Sequence, residues 1–248
     1  MSLIKTVFVL FATAAVVLIF VPLGLVFFII NIIGFKRLTN WVIYRLAQIW
    51  ARMVVFLSGC PMTVTGREYI PNHGGICFVS NHVGAFDIIL ALAYIGRPFG
   101  FIAKKELLLL PGINLWIYLL GGLFIDRKNP RKALKTISLG IKRIKAGGSM
   151  LIFPEGTRSR GQEIGTFHPG ALKLASSSNA LIVPVAISGS YEVFEKNHRV
   201  NSVAASISFL PPVNIDTIPK QDRKILLAEK LHFEIEQALK KKQDGLSE

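Results

Sequence analysis

Thirty consecutive residues, Thr6 to Phe35, carry no charge. As one helix at about 1.5 Å per residue they would reach ~45 Å, and a bilayer crossing needs only ~20 residues. Pro22 and Gly24 interrupt the run midway and predict a break there, leaving two pieces that are each short for a crossing. A cleaved leader is the other reading of such a run. Ala12-Thr13-Ala14 resembles a cleavage site but lies inside the apolar stretch instead of after it.

The next stretch, Lys36 to Ser58, is also mostly apolar, but its polar residues are gathered. At about 100° per residue, Arg37, Arg45, Gln48 and Arg52 fall within roughly 80° of one another. The pattern predicts a helix with a wide apolar face and a narrow basic stripe. Such a helix is either a core helix with a solvated edge or one lying in a membrane interface. Trp41, Tyr44 and Trp50 suit the water–lipid boundary, and the preceding lipid-length run favours the interface. Residues 1–58 are therefore expected to form two helices that anchor the protein to one leaflet, and residues 59–248 to form the body. A single crossing helix is the alternative.

Composition supports a membrane-bound globular protein. With 51% apolar and 18% charged residues the chain is too greasy for disorder, and 21 Gly and 2 Cys exclude collagen-like and disulfide-scaffold classes. Cys60 and Cys77 read as core thiols of a reducing compartment. The net charge is +14; residues 1–60 hold five Lys or Arg and no acid, and the remainder holds 24 basic and 15 acidic residues. A basic, anchored chain suits an anionic lipid surface. Nucleic acid is the usual rival at a pI near 10, but no nucleic-acid motif is present. Basic residues following the apolar run place the body at the cytoplasmic face of the cell membrane.

Beyond residue 60, short apolar runs alternate with helical patterns. Met62–Gly66, Gly75–Ser80, Phe99–Ala103, Leu123–Asp126, Ser149–Phe153, Leu181–Ile187 and Ala204–Leu210 read as strands. Asp87–Tyr94, Pro130–Lys145, Pro169–Ser177 and Pro219–Lys242 read as helices, several opened by a proline. The alternation predicts an α/β fold with a mixed, mostly covered sheet flanked by helices.

Asn81-His82-Val83-Gly84-Ala85-Phe86-Asp87 follows one buried-looking strand, where α/β proteins place reactive groups. A turn there lets the Asp87 carboxylate fold back on the His82 imidazole and hold one ring nitrogen protonated, leaving the other as a base. Read blandly, Asp87 caps a helix and His82 fills a turn. Phe153-Pro154-Glu155-Gly156-Thr157-Arg158-Ser159 follows another strand. Gly156 permits close backbone approach, Thr157 offers a hydroxyl, and Arg158 offers a planar fork that matches phosphate. Arg127, in Gly121–Arg127, and Lys104 are further anion contacts, or solvated charges at strand ends. The five histidines show no metal-ligand spacing.

Taken together, the ordered blocks at Asn81–Asp87, Gly122–Arg127, Phe153–Ser159 and Ile182–Val185 resemble the glycerolipid acyltransferase family over roughly residues 60–215. One departure is Gly84, where that family usually has Ser. The resemblance implies transfer of a fatty acyl group from a thioester to the sn-2 hydroxyl of lysophosphatidic acid, giving phosphatidic acid, without a covalent acyl-enzyme. His82 would be the base and Asp87 its partner. Lys104, Gly156, Thr157 and Arg158 would hold the acceptor phosphate. Arg127 and Glu155 would position the acceptor, Glu155 either by orienting glycerol hydroxyls or by bracing the loop. No cofactor or metal is implied; acyl-CoA and acyl carrier protein are both open as donor. The other readings are acylation of glycerol 3-phosphate or another lysophospholipid, and a non-catalytic membrane lipid-binding protein.

Overall fold

The computed structural model describes residues 2–161, 163–219 and 221–244; the side chains of residues 2, 36–38, 243 and 244 lie outside that description, and with them the place of Arg37 in the basic stripe. Seven strands form one sheet: β1 (Met62–Thr65), β2 (Ile76–Ser80), β3 (Gly100–Lys104), β4 (Leu123–Ile125), β5 (Ser149–Ile152), β6 (Leu181–Ser188) and β7 (Ala205–Phe209). Their order is β1-β7-β6-β2-β5-β3-β4. Neighbours are parallel except β6 and β7, so the sheet is mixed.

Strand β2 runs centrally between β5 and β6 and is buried along its whole length. Alternate side chains serve two cores. Ile76 and Phe78 join one cluster with Leu151, Val183 and Val185, and Cys77 and Val79 join another with Met150, Ile152 and Ile182. This period of two over a continuous apolar run is what a strand covered on both faces requires.

Helices cover both faces: α1 (Ser2–Ile19), α2 (Val21–Ile32), α3 (Lys36–Ser58), α4 (Phe86–Tyr94), α5 (Ile113–Leu119), α6 (Pro130–Lys145), α7 (Lys173–Ser176), α8 (Ser190–Phe194) and α9 (Arg223–Asp244). Residues 2–58 thus hold three helices where the sequence predicts two. The break falls at Phe20, and Pro22 lies in the first turn of α2, where a missing N–H costs no helical bond. Pro169–Ser177 shortens to the single turn of α7, and α5 and α8 were not predicted.

The N-terminal helices are fastened to the body. Lys5 Nζ donates to the Ser58 carbonyl and the Ser202 hydroxyl, both at 2.6 Å, and the Val200 N–H donates to Thr6 Oγ1 at 2.8 Å. Helix α3 puts Tyr44, Ala51, Val54 and Val55 into the core. Arg45 stays exposed over the Trp41 ring, but two other members of the polar stripe meet the body: Gln48 Nε2 and Arg52 Nε donate to the Ala93 carbonyl at 3.3 and 3.1 Å, in the last turn of α4. Those are the carbonyls a helix end leaves without partners. Trp41, Ile49 and Phe56 stay exposed on α3. Among the described residues no single helix is long and apolar enough to cross a membrane; α1 and α2 could do so together only as a pair bent by 42°.

Gly100 marks a close crossing of β3 with the turn before β4. A Cβ there would lie 2.0 Å from the Gly121 carbonyl oxygen. Gly100→Ala is therefore expected to destabilise the protein by about 1–3 kcal/mol through overpacking, read as a lowered unfolding midpoint in detergent.

Candidate active site

The C-terminal ends of β2, β5 and β6 open on one edge of the sheet, since the three strands are parallel neighbours. The loop after β2 carries His82 and leads into α4, whose second residue is Asp87. Asp87 is fully buried. Its Oδ2 accepts from His82 Nδ1 at 2.6 Å, from the Val83 N–H at 2.8 Å and from the Gly84 N–H at 3.0 Å, and its Oδ1 accepts from the Ser190 hydroxyl. An ionised carboxylate only accepts, so Nδ1 carries a proton, and in the neutral imidazole that leaves Nε2 with its lone pair. The imidazole is stacked on Phe153, with ring centroids 4.1 Å apart and planes 18° apart, and its side chain is 20% exposed. The base-like nitrogen is thus oriented by a carboxylate, held flat by an aromatic ring and open at one edge.

Two further contacts fix the His82 loop. Asn81 exchanges two 2.8 Å hydrogen bonds with the backbone of Ile187 in β6, donating through Nδ2 and accepting through Oδ1. Ser159 and Arg160 donate their N–H groups to the His82 and Val83 carbonyls at 2.8 and 3.0 Å. The Phe153–Ser159 block is therefore tied by backbone hydrogen bonds to the His82 block.

Glu155 is buried beneath this junction. One oxygen accepts from the His82 N–H at 2.6 Å and the other from the Gly165 N–H at 2.9 Å. Burial pushes its carboxyl above its ordinary pKa, against the pull of those two backbone donors. With a backbone N–H on each oxygen, the geometry supports the loop brace of the two roles the sequence leaves open. Arg127 donates to the Gly156 carbonyl, so it too acts on the loop. Gly156 has φ +70°, a left-handed conformation that favours glycine.

Arg158 is 39% exposed and its Nη1 donates to Glu195 Oε1 at 2.5 Å. Thr157 is exposed beside it, and Lys104 is exposed at the end of β3, next to a 2.9 Å Lys105–Asp126 ion pair. His82, Asp87, Glu155, Arg127, Gly156 and Arg158 are thus joined by hydrogen bonds through two loops, while Lys104 and Thr157 stand at the rim outside that network. Sequence reasoning missed Ser190 and Glu195. A signal existed for the first: Gly189-Ser190 directly follows β6 and so emerges on the same edge as His82. Among the described residues no cluster of three His, Cys, Asp or Glu side chains is placed to hold a metal ion.

A family model described as Acyltransferase matches residues 61–188. Among relatives, a protein of Borreliella burgdorferi named 1-acyl-sn-glycerol-3-phosphate acyltransferase is 33% identical over 151 residues, 61% of this chain and 60% of that one. A protein of the same name from Escherichia coli is 31% identical over 158 residues, 63% of this chain and 64% of that one. The matched stretch is thus less than two thirds of these relatives' length. The crystal structure of the 1-acyl-sn-glycerophosphate acyltransferase of Thermotoga maritima shares the fold, with a TM-score of 0.84 at 22% identity, covering 98% of this chain and 96% of that one.

Glu155→Gln is expected to loosen the loop junction. An amide can accept from only one of the two backbone donors and turns its own N–H₂ on the other. A buried N–H left unpaired costs about 1–3 kcal/mol, which a lowered unfolding midpoint would report.

Proposed function

The chain belongs to the acyltransferase family, and from that premise we propose that it transfers a fatty acyl group from an acyl thioester to the sn-2 hydroxyl of 1-acyl-sn-glycerol 3-phosphate, giving phosphatidic acid for phospholipid synthesis. The observation that carries the reading is the 2.6 Å His82–Asp87 pair at the sheet edge, one hydrogen-bonded loop away from Arg158. In this reading His82 Nε2 takes the proton of the acceptor hydroxyl as its oxygen attacks the thioester carbonyl carbon. The new C–O bond forms, the C–S bond breaks, and the imidazolium returns the proton to the departing sulfur. Asp87 stabilises the imidazolium through Nδ1. No serine or cysteine is needed as a nucleophile; Cys60 and Cys77 are both buried. Arg158, Thr157, the Gly156 backbone and Lys104 hold the acceptor phosphate, and Arg127 and Glu155 hold the loop that presents them. The donor is acyl-CoA or an acyl carrier protein.

Localisation follows from the same substrate. The proposal sets α1–α3 as a clasp on the cytoplasmic leaflet of the cell membrane. Its support is the apolar surface that Phe8, Phe11, Leu25, Ile29, Trp41, Ile49, Phe56 and Leu109 leave exposed, on helices fastened to a basic body. Leu109 and Phe56 are each 82% exposed, an arrangement costly in water and favourable in lipid.

Purified protein should acylate lysophosphatidate from one of the two donors, and absence of transfer with both overturns the assignment. His82→Ala should lose at least about 10²-fold in turnover, the lower bound for general-base help, with the folded structure retained by circular dichroism. For the clasp, Leu3→Cys in a protein lacking Cys60 and Cys77 is expected to resist an impermeant thiol reagent in intact cells and to react once the membrane is opened. Labelling from outside would show a crossing.

A further inference from the structure

Arg158, the side chain assigned above to the acceptor phosphate, already holds an anion belonging to the chain itself. Glu195 follows α8 directly, and its N–H donates to the Tyr191 carbonyl at 2.9 Å. Its carboxylate bridges two donors: Arg158 Nη1 at 2.5 Å and the Ala85 N–H at the head of α4. Gly84 makes the room. A Cβ at that position would lie 2.6 Å from Glu195 Oε2 and 3.2 Å from Tyr191 Cα, so the carboxylate fills the space a side chain at residue 84 would take. The departure from Ser noted in the sequence therefore leaves no N–H bare, because Glu195 reaches in from another element to meet Ala85.

A guanidinium fork and an N–H at a helix head that no backbone carbonyl takes together form an anion-binding spot, which Glu195 fills. The occupant is loosely held in electrostatic terms: Arg158 is 39% and Glu195 19% exposed, so water screens the pair. A phosphate monoester brings up to two charges and three acceptor oxygens to the same donors, more than one carboxylate offers.

We propose that Glu195 occupies the acceptor-phosphate subsite of the empty enzyme and that the phosphate monoester of the acceptor displaces it. Glu195 is thus a displaceable positioning residue: it keeps Arg158 extended over the His82 edge until the acceptor arrives, and it raises the acceptor's apparent KM by the fraction of time it closes the spot. The proposal rests on the acyltransferase reading and adds a competitor to it.

The test is Glu195→Gln, which keeps an oxygen for the Ala85 N–H and removes the charge facing Arg158. Exchanging a charge-assisted bond for a neutral one should lower KM for lysophosphatidate roughly three- to tenfold, with KM for the acyl donor unmoved. The same gain is expected in equilibrium binding of lysophosphatidate to Glu195→Gln made in the His82→Ala protein, where no turnover intervenes. An acceptor KM that rises, or does not move, would overturn the proposal, because a permanent brace for Arg158 predicts a rise. If the unaltered enzyme transfers no acyl group to lysophosphatidate, the underlying reading fails; if it does so and only the KM shift is missing, the displaced carboxylate alone fails.

Discussion

A buried carboxylate needs donors or it does not stay charged, and Asp87 organises the site around that need. Its four donors come from three places: the His82 ring, the backbone of the turn at Val83 and Gly84, and the Ser190 hydroxyl at the start of α8. The turn must therefore curl over the first turn of α4, and α8 must sit against it. The same requirement that shapes the backbone also fixes the histidine tautomer. Structure and chemistry are set by one group.

The second buried carboxylate shows what environment does to an identical functional group. Among the described residues Glu155 takes its hydrogen bonds from the N–H groups of His82 and Gly165, and burial raises its pKa. It is spent on backbone geometry. Asp87 instead faces a ring that can accept a positive charge. The two meet through residue 82, whose ring serves one carboxylate and whose N–H serves the other, so the two motif blocks are one folded unit although their acids are far apart in sequence.

Local signals carried the fold well. All seven strands were legible: the buried ones are short continuous apolar runs between turn residues, and β1, at the sheet edge, alternates half-buried and exposed side chains. His82 and Asp87 were legible for a similar reason, since one turn is enough to bring them together. Helix α5, Ile113–Leu119, escaped because seven residues, with Asn114 as the one amide among apolar and aromatic side chains, make too few turns to show a face. Ser190 and Glu195 escaped because their partners lie 103 and 110 residues away, on another strand–helix turn, and a five-residue helix leaves little periodicity to read. The orientation of α3 was half legible. Its stripe was visible, but only α4 explains why Gln48 and Arg52 turn inward: the unpaired carbonyls at the end of that helix need donors.

That last arrangement has a mechanical side. Helix α4 begins at the Asp87 cluster and ends under the donors of α3, so α3 and the His82–Asp87 pair sit at opposite ends of one short rod. Nine residues at about 1.5 Å each make a strut of ~13 Å. If α3 rests on a lipid surface through Trp41, Ile49 and Phe56, the rod would hold the imidazole at a constant depth relative to the headgroup layer, because the 2.6 Å bond to Asp87 ties the His82 loop to the head of α4. On the proposed one-leaflet placement the bilayer surface would act as one wall of the reaction vessel, and the length of α4 would set how far from that wall the proposed ester is made.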